Sequence, residues 1–454
     1  MEKEKEKDVH SEKKKQKIHL LSQGSYGCIF QPNLSCKGNI GSSSFITKIQ
    51  KEKSSSNRET TIGKKIQNIK HYSHYFAPIL NTCTISLGTV ENDEIKKCDF
   101  INNTSKKFIS NKIKYVGKNT LDDYLLAVYQ HSPATFLKTL IHTYLDLLKS
   151  LSLLLENNII HMDLKENNIM IDEHLEKPII IDFGLSFDKN DLLHESFDDV
   201  NLQRFKPTKN SIRLADLHSS GSMTDKEINP STKGADLHLQ RFKKIFFVYG
   251  YDYPPWCFEI SVITYIINEI HGNLADTIAP KHVLSTLCDN FIEKNDLFLS
   301  LFSSTERELF KRKLVDYMYK FDGFSWKYVL DKMLHSISTW DNYSIAVIYL
   351  YFIHTVFGSS NNTTNFDPFI HDFIGFLKSI VSSLPEERKN IKDTQVFFSQ
   401  LFGTIDSKKN HLFVKKIGIH AKNPDYFTNI GKKIATMKSK DTVKDNLFQR
   451  FLHK

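Results

Sequence analysis

The chain has 454 residues, of which 40% are hydrophobic and 25% charged, and its formal net charge is +9. These proportions exclude a wholly disordered chain, and the length suffices for one large core or two adjoining ones. Six cysteines, at 28, 36, 83, 98, 257 and 288, form neither a C-x-x-C zinc clamp nor a dense disulfide framework, so reduced thiols in an intracellular protein are expected.

In chain order, residues 1–17 open with alternating Glu and Lys from Glu2 to Lys7 and lack an apolar core, which predicts a solvated tail rather than a secretory signal or a membrane anchor. Short strand-like runs broken by Gly, Ser and Asn fill Ile18 to Ile113, with one helical candidate from Asn57 to Ile69. A small sheet-rich lobe over 18–115 is expected. Lys114-Tyr115-Val116-Gly117-Lys118 reads as an extended hinge. From Leu121 onward apolar residues recur every three or four positions, in Tyr124 to Tyr129 and in Phe136 to Leu155, which predicts helices and a larger lobe over 116–410.

Two segments interrupt that pattern. Asp188 to Phe247 is polar and carries Ser219-Ser220-Gly221-Ser222 with Arg204, Lys206, Lys209, Arg213 and Arg241, and a long mobile loop is expected there. Ser261 to Thr339 has helical spacing at Phe298-Leu301-Phe302 and Leu314-Met318-Phe321, which predicts an inserted helical subdomain. Tyr343 to Phe357 is apolar but shorter than the roughly twenty residues that span a bilayer, so a buried helix is expected and no membrane span. Residues 411–454 form a basic tail with Lys432-Lys433. Together with Lys13-Lys14-Lys15 and the long loop, this tail favours acidic partners, nucleic acid among them.

The chemistry concentrates at His161-Met162-Asp163-Leu164-Lys165-Glu166-Asn167-Asn168. Phosphoryl transfer to a hydroxyl needs a carboxylate that orients the nucleophile and takes its proton, an ammonium that neutralises the transferring group, and an amide oxygen that holds magnesium. Asp163, Lys165 and Asn168 fit those three roles. Two strand-like runs, Ile169-Met170-Ile171-Asp172 and Pro178-Ile179-Ile180-Ile181, then predict a hairpin that returns Asp182-Phe183-Gly184 to the side of Asn168. Asp182 and Asn168 would be the metal ligands, and Gly184 permits an unusual turn.

With these motifs in this order the chain resembles the eukaryotic protein kinase superfamily, and the resemblance runs from Leu21 to about Arg388. It implies an α+β bilobal protein-kinase fold, with ATP and Mg2+ as cofactors. The family's glycine-rich loop corresponds to Leu21-Ser22-Gln23-Gly24-Ser25-Tyr26-Gly27-Cys28-Ile29, in which Ser22 replaces the first glycine. Lys48, in Phe45-Ile46-Thr47-Lys48-Ile49, corresponds to the phosphate-binding lysine. Glu59 is the best placed ion-pair partner for it, with Glu52 as rival. Glu259, after Tyr253-Pro254-Pro255-Trp256, matches the glutamate that closes the activation segment (about 182–259), and Arg388 matches its buried partner. Asp341, in Trp340-Asp341-Asn342-Tyr343-Ser344, matches the anchor of the catalytic-loop backbone.

The Asp-Leu-Lys-x-x-Asn wording is similar to the serine/threonine branch, which implies a protein substrate with a Ser or Thr acceptor. Gly-Ser-Tyr-Gly-Cys, the Trp-Asp-x-Tyr-Ser helix start and the insert (about 261–339) look like kinases of large cytoplasmic DNA viruses, which implies the host cytoplasm or the virion as location. One departure bears on control: Met162 stands where the family usually has an arginine, and a thioether cannot bind a phosphate on the activation segment. Constitutive competence, or control by a partner or the inserts, is expected instead. A pseudokinase-like nucleotide-binding scaffold and a small-molecule or lipid kinase are the competing functions.

Overall fold

Antiparallel pairing of short strands builds the first part of the chain. A computed structural model describes residues 17–24, 27–50, 54–87, 93–99, 101, 107–193, 242–358, 368–402, 413–415, 425–436 and 438. The chain divides into two units, the first from Met1–Lys64 and Pro78–Tyr115, the second from Lys65–Ala77 and Val116–Lys454. The first is β-rich and the second mostly helical, an α+β architecture.

In the first unit β1 (His19–Gly24), β2 (Gly27–Gln31), β3 (Phe45–Gln50), β5 (Ile79–Ser86) and β6 (Lys107–Lys114) form one sheet in the order β1-β2-β3-β6-β5. The helix α1 (Ser54–Gln67) overlaps the candidate expected from Asn57 to Ile69 but begins and ends earlier. Alternation along β2 buries Cys28 and Phe30 on one face and leaves Ile29 half-buried on the other. Cys28 and Phe30 join Ile18, Ile49, Ile85, Ile95 and Phe108 in an apolar cluster.

The expectation of six reduced thiols is wrong. Cys28 is disulfide-bonded to Cys98, which follows the short helix α2 (Asp93–Lys96), and Cys36 is bonded to Cys83 on β5. The partners lie 70 and 47 residues apart, and only the folded sheet brings them together, which is why sequence spacing concealed them. Cysteine usage therefore gives no argument for a reducing compartment. Cys257 and Cys288 are free and buried.

In the second unit β4 (Phe76–Ala77) runs parallel to β9 (Lys177–Ile181), which pairs antiparallel with β8 (Ile169–Asp172); β7 (Ile159–Ile160) pairs with β10 (Phe187–Asp188). The helices α3 (Leu121–His131) and α4 (Pro133–Glu156) precede them. Proline suits the first turn of α4, and its buried residues Phe136, Leu140, Tyr144, Leu147, Leu151 and Leu154 recur at helical spacing. After α5 (Asn190–Leu193) come α6 (Phe258–Glu269), α7 (Lys281–Glu293), α8 (Asp296–Leu301), α9 (Ser304–Tyr319) and α10 (Trp326–Leu334). The last four are the helices expected within 261–339. Ser303 and Glu306 close a reciprocal capping box at the start of α9.

The centre of the second unit is α11 (Trp340–Phe357), which is buried on nearly all sides, as an apolar helix with polar anchors at its start should be. It packs against α12 (Pro368–Val381), and α13 (Ile391–Phe402) packs against α4. No helix among the described residues is long and apolar enough to cross a membrane. Several expectations fall outside the described residues: the tail over 1–16, Glu52, Ser25 and Tyr26, the basic residues from Arg204 to Arg241, and most of the segment after Lys415.

Candidate active site

In the first unit, β1 and β2 form the hairpin that carries the glycine-rich sequence, with Gly24 opposite Gly27. Gly27 has φ +149°, and a Cβ there would lie 2.0 Å from the carbonyl oxygen of Ile49, so only glycine fits. Leu21, Ser22 and Gln23 are exposed on β1. Gln23 exchanges hydrogen bonds with Asp99, donating from Nε2 at 2.7 Å and accepting from the backbone N–H at 2.9 Å. This clamp holds β1 to the segment that also carries Cys98.

Lys48 on β3 is 5% exposed, and its Nζ donates to Glu59 of α1 at 3.1 and 3.3 Å. A buried ammonium needs such a partner. Further polar groups complete the site. Gln50 donates to Glu59 at 3.3 Å, Asn111 on β6 donates to Gln50 at 2.7 Å, and Thr82 donates to Asn111 at 2.8 Å. Gln50 and Asn111 escaped sequence reasoning, because a polar residue inside a strand pattern looks solvent-facing until its register is known.

In the second unit the loop after β7 places the next group. His161 and Met162 donate their backbone N–H groups to the two carboxylate oxygens of Asp341, at 2.8 and 3.1 Å. Asp341 is 5% exposed; burial raises its pKa, and the two amides oppose that rise. Its grip coincides with a left-handed backbone at Met162, φ +70°. His161 takes a backbone N–H from Asp163 on Nδ1, at 3.3 Å, which leaves Nε2 as donor to the carbonyl of Ile181 at 3.1 Å. The His161 ring also meets Phe183, 5.0 Å between centroids, and Phe183 meets Phe76 edge-on at 6.2 Å.

Asp163, Lys165 and Asn168 come together on this support. The Asn168 amide donates to the Asp163 carbonyl at 2.8 Å and to its Oδ2 at 3.1 Å, and Lys165 Nζ lies 3.4 Å from Oδ2. With its NH2 so engaged, Asn168 turns its carbonyl oxygen away from Asp163. Asp163, Lys165 and Asn168 are 9%, 7% and 5% exposed. The β8–β9 register pairs Ile169 with Ile180, so Asn168 and Asp182 stand at the same end of the hairpin. Asp182 has φ +56°, and its Oδ1 accepts from the Gly184 N–H at 3.3 Å. Asn168 and Asp182 offer oxygen donors of the kind that suit magnesium, which keeps further positions for water or phosphate.

Glu259 and Arg388 meet in a buried, two-pronged ion pair, at 2.7 and 3.1 Å. Ser336 adds a hydrogen bond to Glu259 at 2.7 Å. Burial alone would raise the Glu259 pKa, but the Arg388 charge and these bonds hold it below the ordinary range. Burial and the neighbouring Glu259 push the Cys257 thiol well up. Two residues within the Tyr253–Trp256 segment touch the loop directly. Tyr253 donates its hydroxyl to Asp163 Oδ1 at 2.9 Å, and Trp256 donates its indole N–H to the Met162 carbonyl at 3.0 Å. Their aromatic character was visible in the sequence, but not where their polar ends point.

Residues 16–198 match the family model described as protein tyrosine and serine/threonine kinase. A 75-residue stretch is 41% identical to the probable serine/threonine-protein kinase fnkB of Dictyostelium discoideum. That stretch is 16% of this chain and 13% of the relative's length, so the chain matches a small part of that protein. Both similarities are to protein kinases.

Proposed function

We propose that the chain is a serine/threonine protein kinase that transfers the γ-phosphoryl group of ATP to a protein hydroxyl. The observation that carries this is the placement of Asn168 within hydrogen-bonding reach and of Lys165 within ionic reach of Asp163, on a loop fixed by Asp341. Asp163 orients the acceptor hydroxyl and takes its proton as the oxygen bonds to the γ-phosphorus and the bond to the ADP oxygen breaks. Lys165 neutralises charge on the moving group. Magnesium, when bound, would neutralise the nucleotide phosphates, with Asn168 and Asp182 as its protein ligands. Lys48, held by Glu59, anchors the α- and β-phosphates, and the residues from Leu21 to Ile29 cover the nucleotide. Lys48, Asp163, Asn168 and Asp182 are all retained, which favours an enzyme over a scaffold.

In this reading 18–115 is the kinase N-lobe and 116–410 the C-lobe, flanked by the segments 1–17 and 411–454. The enzyme is constitutively competent or controlled by a partner or by the inserts, because the Met162 thioether cannot bind a phosphate on the activation segment. The wording shared with kinases of large cytoplasmic DNA viruses supports a viral origin and a place in the host cytoplasm or the virion. The basic segments favour acidic partners or nucleic acid. Phosphoamino-acid analysis of a mixed protein substrate labelled with γ-32P-ATP tests the proposal. Phosphoserine and phosphothreonine are expected; phosphotyrosine alone would overturn the acceptor assignment.

A further inference from the structure

The segment Tyr253–Trp256, just ahead of α6, is tied down at three points in the second unit. Ser344 on α11 donates to the Pro255 carbonyl at 2.8 Å. The Trp256 indole N–H reaches the Met162 carbonyl at 3.0 Å, and the Tyr253 hydroxyl reaches Asp163 Oδ1 at 2.9 Å. The Tyr253 and Trp256 rings meet edge-on, 5.4 Å between centroids and 84° between planes, and each residue is 2% exposed. The same segment therefore grips two consecutive residues of the catalytic loop, one by its backbone and one by its carboxylate.

A carboxylate turns easily about its last side-chain bond, where the torsional preference is broad. A base acts only when its oxygen is held within hydrogen-bond reach of the proton it removes. At Asp163 one oxygen faces the Asn168 amide and the Lys165 ammonium, and the other accepts from Tyr253. Together these contacts set the plane of the carboxylate. Burial of the Tyr253 ring, its contact with Trp256 and the anchoring of Pro255 make the phenol a fixed strut rather than a plug that swings aside.

We propose that Tyr253 is a positioning residue for phosphoryl transfer, acting through Asp163; this rests on the assignment of Asp163 as the base. Tyr253 makes no contact with the nucleotide in this scheme, so its removal acts on the chemical step and not on ATP binding.

The test compares the full chain with Tyr253→Phe, which keeps the ring against Trp256 and deletes only the hydroxyl. Steady-state transfer to a protein substrate is measured with ATP affinity, thermal melting and mass spectrometry of Tyr253. A kcat lower by about 10- to 100-fold is expected, the range that a small misplacement of a reacting group produces. KM for ATP, ATP affinity and melting temperature should stay unchanged. Tyr253→Leu, which also removes the ring, should lower kcat at least as far. An unchanged kcat in Tyr253→Phe would overturn the proposal. A raised kcat would mean that the phenol blocks the acceptor, and phosphate on Tyr253 would make it an acceptor; either overturns it too. A wild-type chain that transfers no phosphate would instead remove the kinase assignment on which the proposal stands.

Discussion

Arg388 donates from both terminal nitrogens to the two oxygens of Glu259, across 129 residues of sequence, with Glu259 wholly buried and Arg388 5% exposed. The pair ties the start of α6 to the segment before α13. Replacing one partner leaves an uncompensated buried charge, which costs about 3–5 kcal/mol. Arg388→Met should therefore lower the unfolding free energy by that order in urea melts. Combining it with Glu259→Gln should recover part of the loss, because the double variant buries no lone charge. Additive losses would contradict the pairing.

The same pair sets a pH dependence. Its surroundings hold the Glu259 pKa below the ordinary glutamate value, so the folded state binds the proton less readily than the unfolded state. The resulting stabilisation is fully present above the unfolded-state pKa, about 4.3 in model peptides, and is lost as pH falls through the lower folded value. Melting temperature measured from pH 6 down to pH 3 should fall less steeply for Glu259→Gln than for the wild type. Parallel curves would contradict this sign.

The two disulfides predict a chemical count. Denatured under non-reducing conditions, the chain should expose two reactive thiols, Cys257 and Cys288, and six after reduction. Cys28→Ser with Cys98→Ser should destabilise the first unit by about 2–5 kcal/mol. Six thiols without reductant would show the pairs to be open.

Lys48 is buried in the first unit and donates to both carboxylate oxygens of Glu59. Lys48→Met should lower transfer roughly 10²-fold or more, as losing a charge aimed at the reacting group does. It should also remove the Lys48 ammonium from the buried Glu59, so a lower melting temperature is expected with it. Glu59→Gln, which keeps a hydrogen-bond acceptor, should cost less activity. Equal losses would mean that Lys48 acts only through the ion pair.

Local order was the legible part of this chain. Apolar spacing marked α4 and α11, and the two isoleucine-rich runs marked β8 and β9, because periodicity survives in one dimension. Asp163, Lys165 and Asn168 were readable because they sit within six residues of each other. What escaped depends on distant strands and segments: the Cys28–Cys98 pairing, the Gln50–Asn111 bond and the reach of Tyr253 to Asp163 across 90 residues. No local pattern encodes those meetings. The Glu259–Arg388 pair became visible from sequence only through family resemblance, since neither residue carries a local signal of burial.

The assignment of Asp163 as base and Asp182 as metal ligand is tested most directly by γ-32P-ATP transfer to a protein substrate. Wild type, Asp163→Asn and Asp182→Asn would be compared with and without magnesium, and folding checked by melting. Both variants should lose transfer by at least about 10²-fold, and removing magnesium should abolish it in the wild type. Labelling that persists in both variants at the wild-type rate would contradict the account.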